Sequence, residues 1–291
     1  MDKRNCATNP DACRQENGNC LYPGSDGLPV QCVGPWVAEK YHYLNNILEA
    51  TSPVRRQFFP RGNSVFIDLF SGPGKCIIKD EQCELDSVCI NTNIESFLFN
   101  SSILIDIDEN NTAALRARLG NPDYCTIITG DSNEKIPIIV NELLKKKWRY
   151  HFAYIDPFGC ENLKFHTIQD LAKLERMDLF INFPIGSIKR NIGRWMEMDS
   201  DTPLDLFLGT KQWREDIRKV NSEKLYDYLS NLYKDRLVNL GYPLKRLNVV
   251  SVKNTKNVTL YVIIYAAKRD IGQKIWNSII IIRPDGQGEL F

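Results

Sequence analysis

The sequence predicts an α/β fold, a mostly parallel sheet covered by helices and closed by an antiparallel hairpin. Three observations predict it. Short apolar runs of strand length alternate with helix-like stretches between residues 64 and 183. A parallel strand is buried on both faces, so it reads as a continuous apolar run. The first run ends in a turn with two glycines, and acidic residues stand at the ends of several others. Near the C-terminus two β-type runs, 247–252 and 258–267, are joined by a polar turn at 253–257, which is hairpin spacing.

The elements follow in order. Residues 1–35 lack apolar periodicity and carry Cys6, Cys13, Cys20 and Cys32 among Asn, Gly, Pro and Asp, so they read as an irregular arm. Pro35 suits a first helical turn, and Trp36, Tyr43, Leu44, Ile47 and Leu48 line one face of the helix that follows. Strands are expected at 64–70, 97–106, 125–129, 152–156 and 179–183. Helices are expected at 109–119, stopped by Gly120, near 136–146 and near 167–174. Residues 186–240 lose the strand pattern and read as a helical insertion. A last helix falls near 271–280. The chain is thus a Cys-bearing arm, 1–35, and one α/β domain, 36–291, that contains the insertion.

Composition bounds the function. With 43% hydrophobic and 25% charged residues, the 291-residue chain can bury a core. A net charge of +1 points to no particular partner, so a nucleic-acid surface would have to be a local patch. No run is apolar enough to span a bilayer, and 1–10 lacks the apolar run of a signal peptide. A cytoplasmic location with reduced thiols, and no membrane, is the expectation.

Four strand ends carry the chemistry. The first is Phe66-Ile67-Asp68-Leu69-Phe70-Ser71-Gly72-Pro73-Gly74. A strand ending in D-x-F-x-G-x-G lets a ligand approach the main chain. The third glycine of a dinucleotide fingerprint is missing, which disfavours such a cofactor. The alternative is a plain strand-to-helix turn. The second is Leu104-Ile105-Asp106-Ile107-Asp108, where a carboxylate can accept from both hydroxyls of a ribose diol. Asp108 reads equally as a helix cap. The third is Gly130-Asp131-Ser132-Asn133, whose acid takes an adenine amino group or caps the next helix. The fourth is Tyr154-Ile155-Asp156-Pro157-Phe158-Gly159, beside the Ile181-Asn182-Phe183-Pro184 turn. There a carboxylate can accept an N–H and an aromatic ring can stack a base.

Taken in order, these motifs resemble the class I methyltransferases that use S-adenosylmethionine (SAM). The Asp156-Pro157-Phe158-Gly159 run is similar to one in tRNA guanine-N2 methyltransferases. Gly34-Pro35-Trp36, Glu39-Lys40, the 66–74 and 155–159 runs, Asp178-Leu179 and Asn182-Phe183-Pro184 extend the resemblance over roughly 30–285 to the bacterial three-Cys-motif partner family (TcmP). The resemblance implies a Rossmann-like methyltransferase fold, SAM as cofactor and a radical-SAM-like companion protein. It implies SAM contacts by Asp68, Phe70, Ser71, Gly72, Pro73, Gly74, Asp106, Asp108, Asp131 and Ser132. The acceptor would meet Asp156, Pro157, Phe158 and Asn182. The leading expectation is N-methylation of a nucleic-acid base, with Arg190, Arg194, Lys211, Arg214, Arg218, Lys219, Trp195, Phe207 and Trp213 of the insertion gripping and stacking it. A solvated helical lid is the alternative reading of the insertion. For the whole chain, the alternatives are a non-catalytic partner of the companion and a small-molecule methyltransferase.

The cysteines are not carried over from the family. Cys6, Cys13, Cys20 and Cys32 lack the short knuckle spacing common in structural zinc sites, so one zinc and scattered thiols both stay open. Cys76, Cys83 and Cys89 read as loop residues, and His42, His151 and His166 as packing or surface residues.

Overall fold

The structure, a computed structural model, describes residues 17–59, 63–79, 83–91, 99–120, 122–220, 224–243, 249–254 and 256–281. The chain forms two compact units, Met1–Asp131 and Ser132–Phe291.

The first unit runs β1 (Gln31–Val33), α1 (Val37–Phe58), β2 (Ser64–Asp68), β3 (Lys75–Ile78), β4 (Glu84–Asp86), α2 (Val88–Asn91), β5 (Ser101–Asp106), α3 (Glu109–Leu119) and β6 (Cys125–Thr129). Its main strands lie in the order β6-β5-β2, all parallel, with Asp68 opposite Leu104 and Asp106 opposite Thr129. All five residues of β2 are buried, as the apolar run requires. Helix α3 starts on Asp108, whose carboxylate accepts from the Asn110 amide, and stops at Gly120 in the left-handed region (φ 69°). The buried face of α1 includes the expected Tyr43, Leu44, Ile47 and Leu48 and continues to Arg55.

A small sheet, β1-β3-β4, has no counterpart in the sequence expectation. Strand β1 lies parallel to β3 (Gln31 opposite Cys76), and β4 closes an antiparallel hairpin on β3. The arm is therefore not irregular throughout, because residues 31–33 are strand. Cys76 and Cys89, expected in loop, lie in β3 and α2, and Cys83 directly precedes β4. The glycine turn leads into β3, not into a helix.

The second unit runs α4 (Ser132–Leu144), β7 (Tyr150–Ile155), a 3-10 turn (Cys160–Asn162), α5 (Phe165–Ala172), β8 (Met177–Phe183), α6 (Ile185–Met196), α7 (Pro203–Leu208), α8 (Trp213–Asp216), α9 (Leu225–Asn239), β9 (Val250–Lys253), β10 (Thr259–Ala266) and α10 (Asp270–Ile279). Strand order is β7-β8-β10-β9. β7 and β8 are parallel, while β10 is antiparallel to both β8 and β9. With the parallel strands of the first unit this is the mostly parallel, Rossmann-like α/β fold that the sequence predicts, hairpin included. The first residues of two expected strands, 97–98 and 247–248, lie outside the described residues. Among the described residues, no helix is long and apolar enough to cross a membrane.

The insertion is helical, α6 to α9, but its aromatic residues face inward. Trp195, Phe207 and Trp213 are buried. Phe207 packs edge-on against Phe183 at 5.1 Å and stacks on Tyr233 at 5.2 Å. The expectation that these rings stack bases is therefore corrected, since burial of large apolar area holds them in the core.

Candidate functional site

In the first unit, the turn after β2 is tied to the end of β5. Asp68 is buried, and its carboxylate accepts from the Phe70 amide at 3.0 Å. The Ser71 amide donates to the Ile105 carbonyl at 2.9 Å, and the Gly72 amide to Asp106 Oδ2 at 2.8 Å. The turn after β6 is tied to the same point, with the Gly130 amide donating to the Asp106 carbonyl at 2.9 Å. Three parallel strands thus deliver their C-terminal turns to one residue, Asp106. Ends of this kind are where ligands gather in open α/β sheets.

Asp106 Oδ1 accepts from the Asp108 amide at 2.9 Å and from Asn111 Nδ2 at 3.0 Å. Burial pushes its carboxyl above the usual range, against the pull of these donors and the Gly72 amide. A carboxylate offers about four lone-pair positions. Three donors leave Oδ2 able to accept one more, which fits a ribose hydroxyl. Asp108 behaves as the helix-cap reading expects, and its second oxygen takes Asn17 Nδ2 at 2.5 Å. Ile107 was not singled out in the sequence, yet it is 75% exposed beside Asp106 and offers an apolar surface. Asp131, half-buried, follows β6 in this unit; Ser132, buried, begins α4 of the other.

Gly72 and Gly74 both need the left-handed region, with φ of 60° and 89°. A Cβ on Gly74 would also lie 2.8 Å from Leu115 Cδ2 and 3.1 Å from Ile90 Cδ1. Gly74→Ala is expected to destabilise the protein by about 1–3 kcal/mol through strain and overpacking, read as a lower denaturation midpoint.

In the second unit, Asp156 and Asn182 meet at the ends of the paired strands β7 and β8. Asn182 Nδ2 donates to Asp156 Oδ1 at 2.6 Å, and Tyr154 Oη donates to Oδ2 at 2.9 Å. Tyr154 was missed in the sequence, though two-residue spacing puts it on the same strand face as Asp156. Asn182 is 2% exposed, and its Oδ1 has no partner among the described residues. A buried carbonyl without a donor costs about 1–3 kcal/mol, so it marks a place where an N–H is wanted. Pro157 is buried, and Phe158 beyond it is 65% exposed. On α6, which starts two residues after Phe183, Arg190 and Arg194 are exposed one helical turn apart.

Of the arm cysteines, Cys6 and Cys13 lie outside the described residues. Cys20 and Cys32 sit with Val30 and Ile77 in a small buried apolar cluster. Among the described residues, no group of three or more His, Cys, Asp or Glu is placed to hold a metal ion. Burial pushes the Cys76 thiol up to about 11. His151 is buried with both ring nitrogens unpartnered among the described residues, and burial holds its pKa down near 4, so it is a neutral packing residue.

No protein-family model matches the chain. No curated protein matches it either. Among solved structures it is similar to the O-methyltransferase from Bacillus cereus in complex with SAH (10% identity, TM-score 0.41, 81% of this chain and 82% of that one). It is also similar to the N-methyltransferase NodS from Bradyrhizobium japonicum WM9 in complex with S-adenosyl-l-homocysteine (7%, 0.41, 80% and 88%). A third is TYW2 of M. jannaschii in complex with AdoMet (9%, 0.39, 87% and 86%).

Proposed function

We propose that this chain is a SAM-dependent methyltransferase acting on an amino nitrogen of a nucleic-acid base. The observation that carries the reading is the convergence of the β2 and β6 turns on Asp106, with one carboxylate position left for a hydroxyl. Phe70, Asp131 and the exposed Ile107 would complete the cofactor's surroundings in the first unit. When bound, SAM supplies an electrophilic methyl group.

The acceptor is assigned to the second unit. Asn182 Oδ1 is a buried acceptor in want of an N–H, and an exocyclic amino group carries one. Asp156, held by Asn182 and Tyr154, would take the proton released on methylation. Phe158 offers an exposed ring to a base, and Arg190 and Arg194 offer charge to a phosphate. A second reading rests on Phe158 as well: an exposed aromatic can anchor a companion protein, as the three-Cys-motif partner resemblance implies.

The test is calorimetry with SAH followed by transfer of label from SAM to cellular RNA and DNA. Micromolar binding, about −8 kcal/mol, is expected. Asp106→Ala should weaken it by about 1–3 kcal/mol. Absence of heat on folded protein would reject the cofactor. Binding without transfer would favour the companion-docking reading.

A further inference from the structure

Within the first unit, the arm meets the residues that shape the cofactor turns. Arg118 is the first tie. Its side chain is 5% exposed. Nε and Nη2 each donate to the Asp26 carboxylate at 2.9 Å. Nη1 donates to the Pro29 carbonyl at 2.8 Å and to the Pro73 carbonyl. One guanidinium therefore binds two points of the arm and the residue between the two glycines. A planar fork can hold this many acceptors at once, and an ammonium cannot reproduce it.

A chain of amides makes the second tie. Asp106 can only accept, so Asn111 must turn its Nδ2 toward it, and Oδ1 then faces the arm. Asn19 Nδ2 donates to that oxygen at 2.7 Å. Asn17 holds the Asn19 amide at 3.0 Å and reaches Asp108. Gln31 Oε1 lies 3.5 Å from where a Cβ on Gly72 would stand. The arm itself is a short ribbon, with the Cys20 amide on the Val30 carbonyl at 2.8 Å and the Cys32 amide on the Gly18 carbonyl at 3.0 Å.

We propose that residues 17–33 are a working wall of the cofactor site, with Arg118 and Asn111 as the positioning residues that couple the arm to the Gly72–Gly74 turn and to Asp106. The proposal rests on the SAM reading and extends it to residues that touch no expected ligand atom. The ties are polar and land on the Pro73 turn carbonyl, on Asp108, and on Asn111, which passes the contact to the Asp106 carboxylate. A cover serving stability alone needs neither, because apolar burial suffices for that. The arm side of the first tie stays charged: the Arg118 hydrogen bond holds the Asp26 carboxyl far below the usual carboxylate range, with Lys75 Nζ 3.6 Å away.

Coupling between two sites is reciprocal, so a ligand that needs a docked arm must also hold the arm down. The experiment measures amide hydrogen exchange at Cys20 and Cys32 of the full chain, with and without saturating SAH, beside calorimetry of SAH. SAH is expected to slow both amides about tenfold, within the range usual for coupled sites. Arg118→Gln should weaken SAH about tenfold, and Arg118→Lys should recover part of the loss. Where Arg118→Gln does not fold, Asp26→Asn loosens the arm from the exposed side and should weaken SAH in the same direction. Unchanged exchange on SAH binding, or folded variants with unchanged SAH affinity, overturn the proposal. If the wild-type protein gives no heat with SAH, the cofactor reading has failed and takes the proposal with it, a case the calorimetry separates.

Discussion

Asp205→Ala is expected to cost about 2–3 kcal/mol of stability, because it strips the buried Trp213 indole N–H and the Thr202 capping box of their acceptor. The carboxylate accepts from the Thr202 amide and hydroxyl at 2.8 Å each, from Trp213 Nε1 at 2.7 Å, and from Arg214 Nε and Nη2 at 3.1 and 2.6 Å. Trp213 is fully buried, so its indole N–H would find no water. Chemical denaturation would show a lower midpoint with little change in slope. The pH dependence has a definite sign. Burial alone would raise the Asp205 pKa, but the bonds from Arg214, Thr202 and Trp213 outweigh it and lower the pKa to about 2 from an ordinary 3.8. The stabilisation is thus complete above the ordinary value and is lost as pH falls from there toward 2. Asp205→Ala should flatten that acid limb. A variant as stable as the parent at pH 7 would refute the account.

The second large effect is on turnover. Asn182→Leu is expected to lower kcat about 100-fold, roughly 2.7 kcal/mol, while SAH affinity stays unchanged. Leucine keeps the branched shape but removes both the Oδ1 that has no partner among the described residues and the donor that fixes Asp156 at 2.6 Å. Orientation of the reacting nitrogen matters most at the transition state, so the loss should appear in kcat more than in KM. Turnover within threefold of the parent would remove Asn182 from the acceptor assignment.

Much of the fold was legible because parallel strands are continuous apolar runs. Residues 125–129 coincide with β6, and 152–156 and 179–183 fall within a residue or two of β7 and β8. The β1-β3-β4 sheet was not, since strands of three or four residues carry too little pattern to separate from loop. The insertion illustrates a different failure. Arg and Trp interleave in its sequence, but Trp195 lies seven residues from Ile188, the spacing of one helix face, and all three buried aromatics belong to cores. At the site, Asp106 was legible from its strand-end position and Asp156 from the motif around it. The Arg118–Asp26 and Asn19–Asn111 pairs were not, because each joins residues 92 positions apart in the chain.

That separation has a consequence for biosynthesis. Asp26 precedes Arg118 by 92 residues. At about 5–20 residues per second, a ribosome needs roughly 5–20 s to supply the clamp after the ribbon has been made. During that interval Cys20 and Cys32, enclosed in the finished protein, have no Ile77-lined cluster closed over them by a docked arm. The nascent chain therefore passes through a period in which these two side chains lack the burial that the docked ribbon gives them. A stalled chain ending before residue 118 should react with a thiol reagent at positions that the completed protein shields.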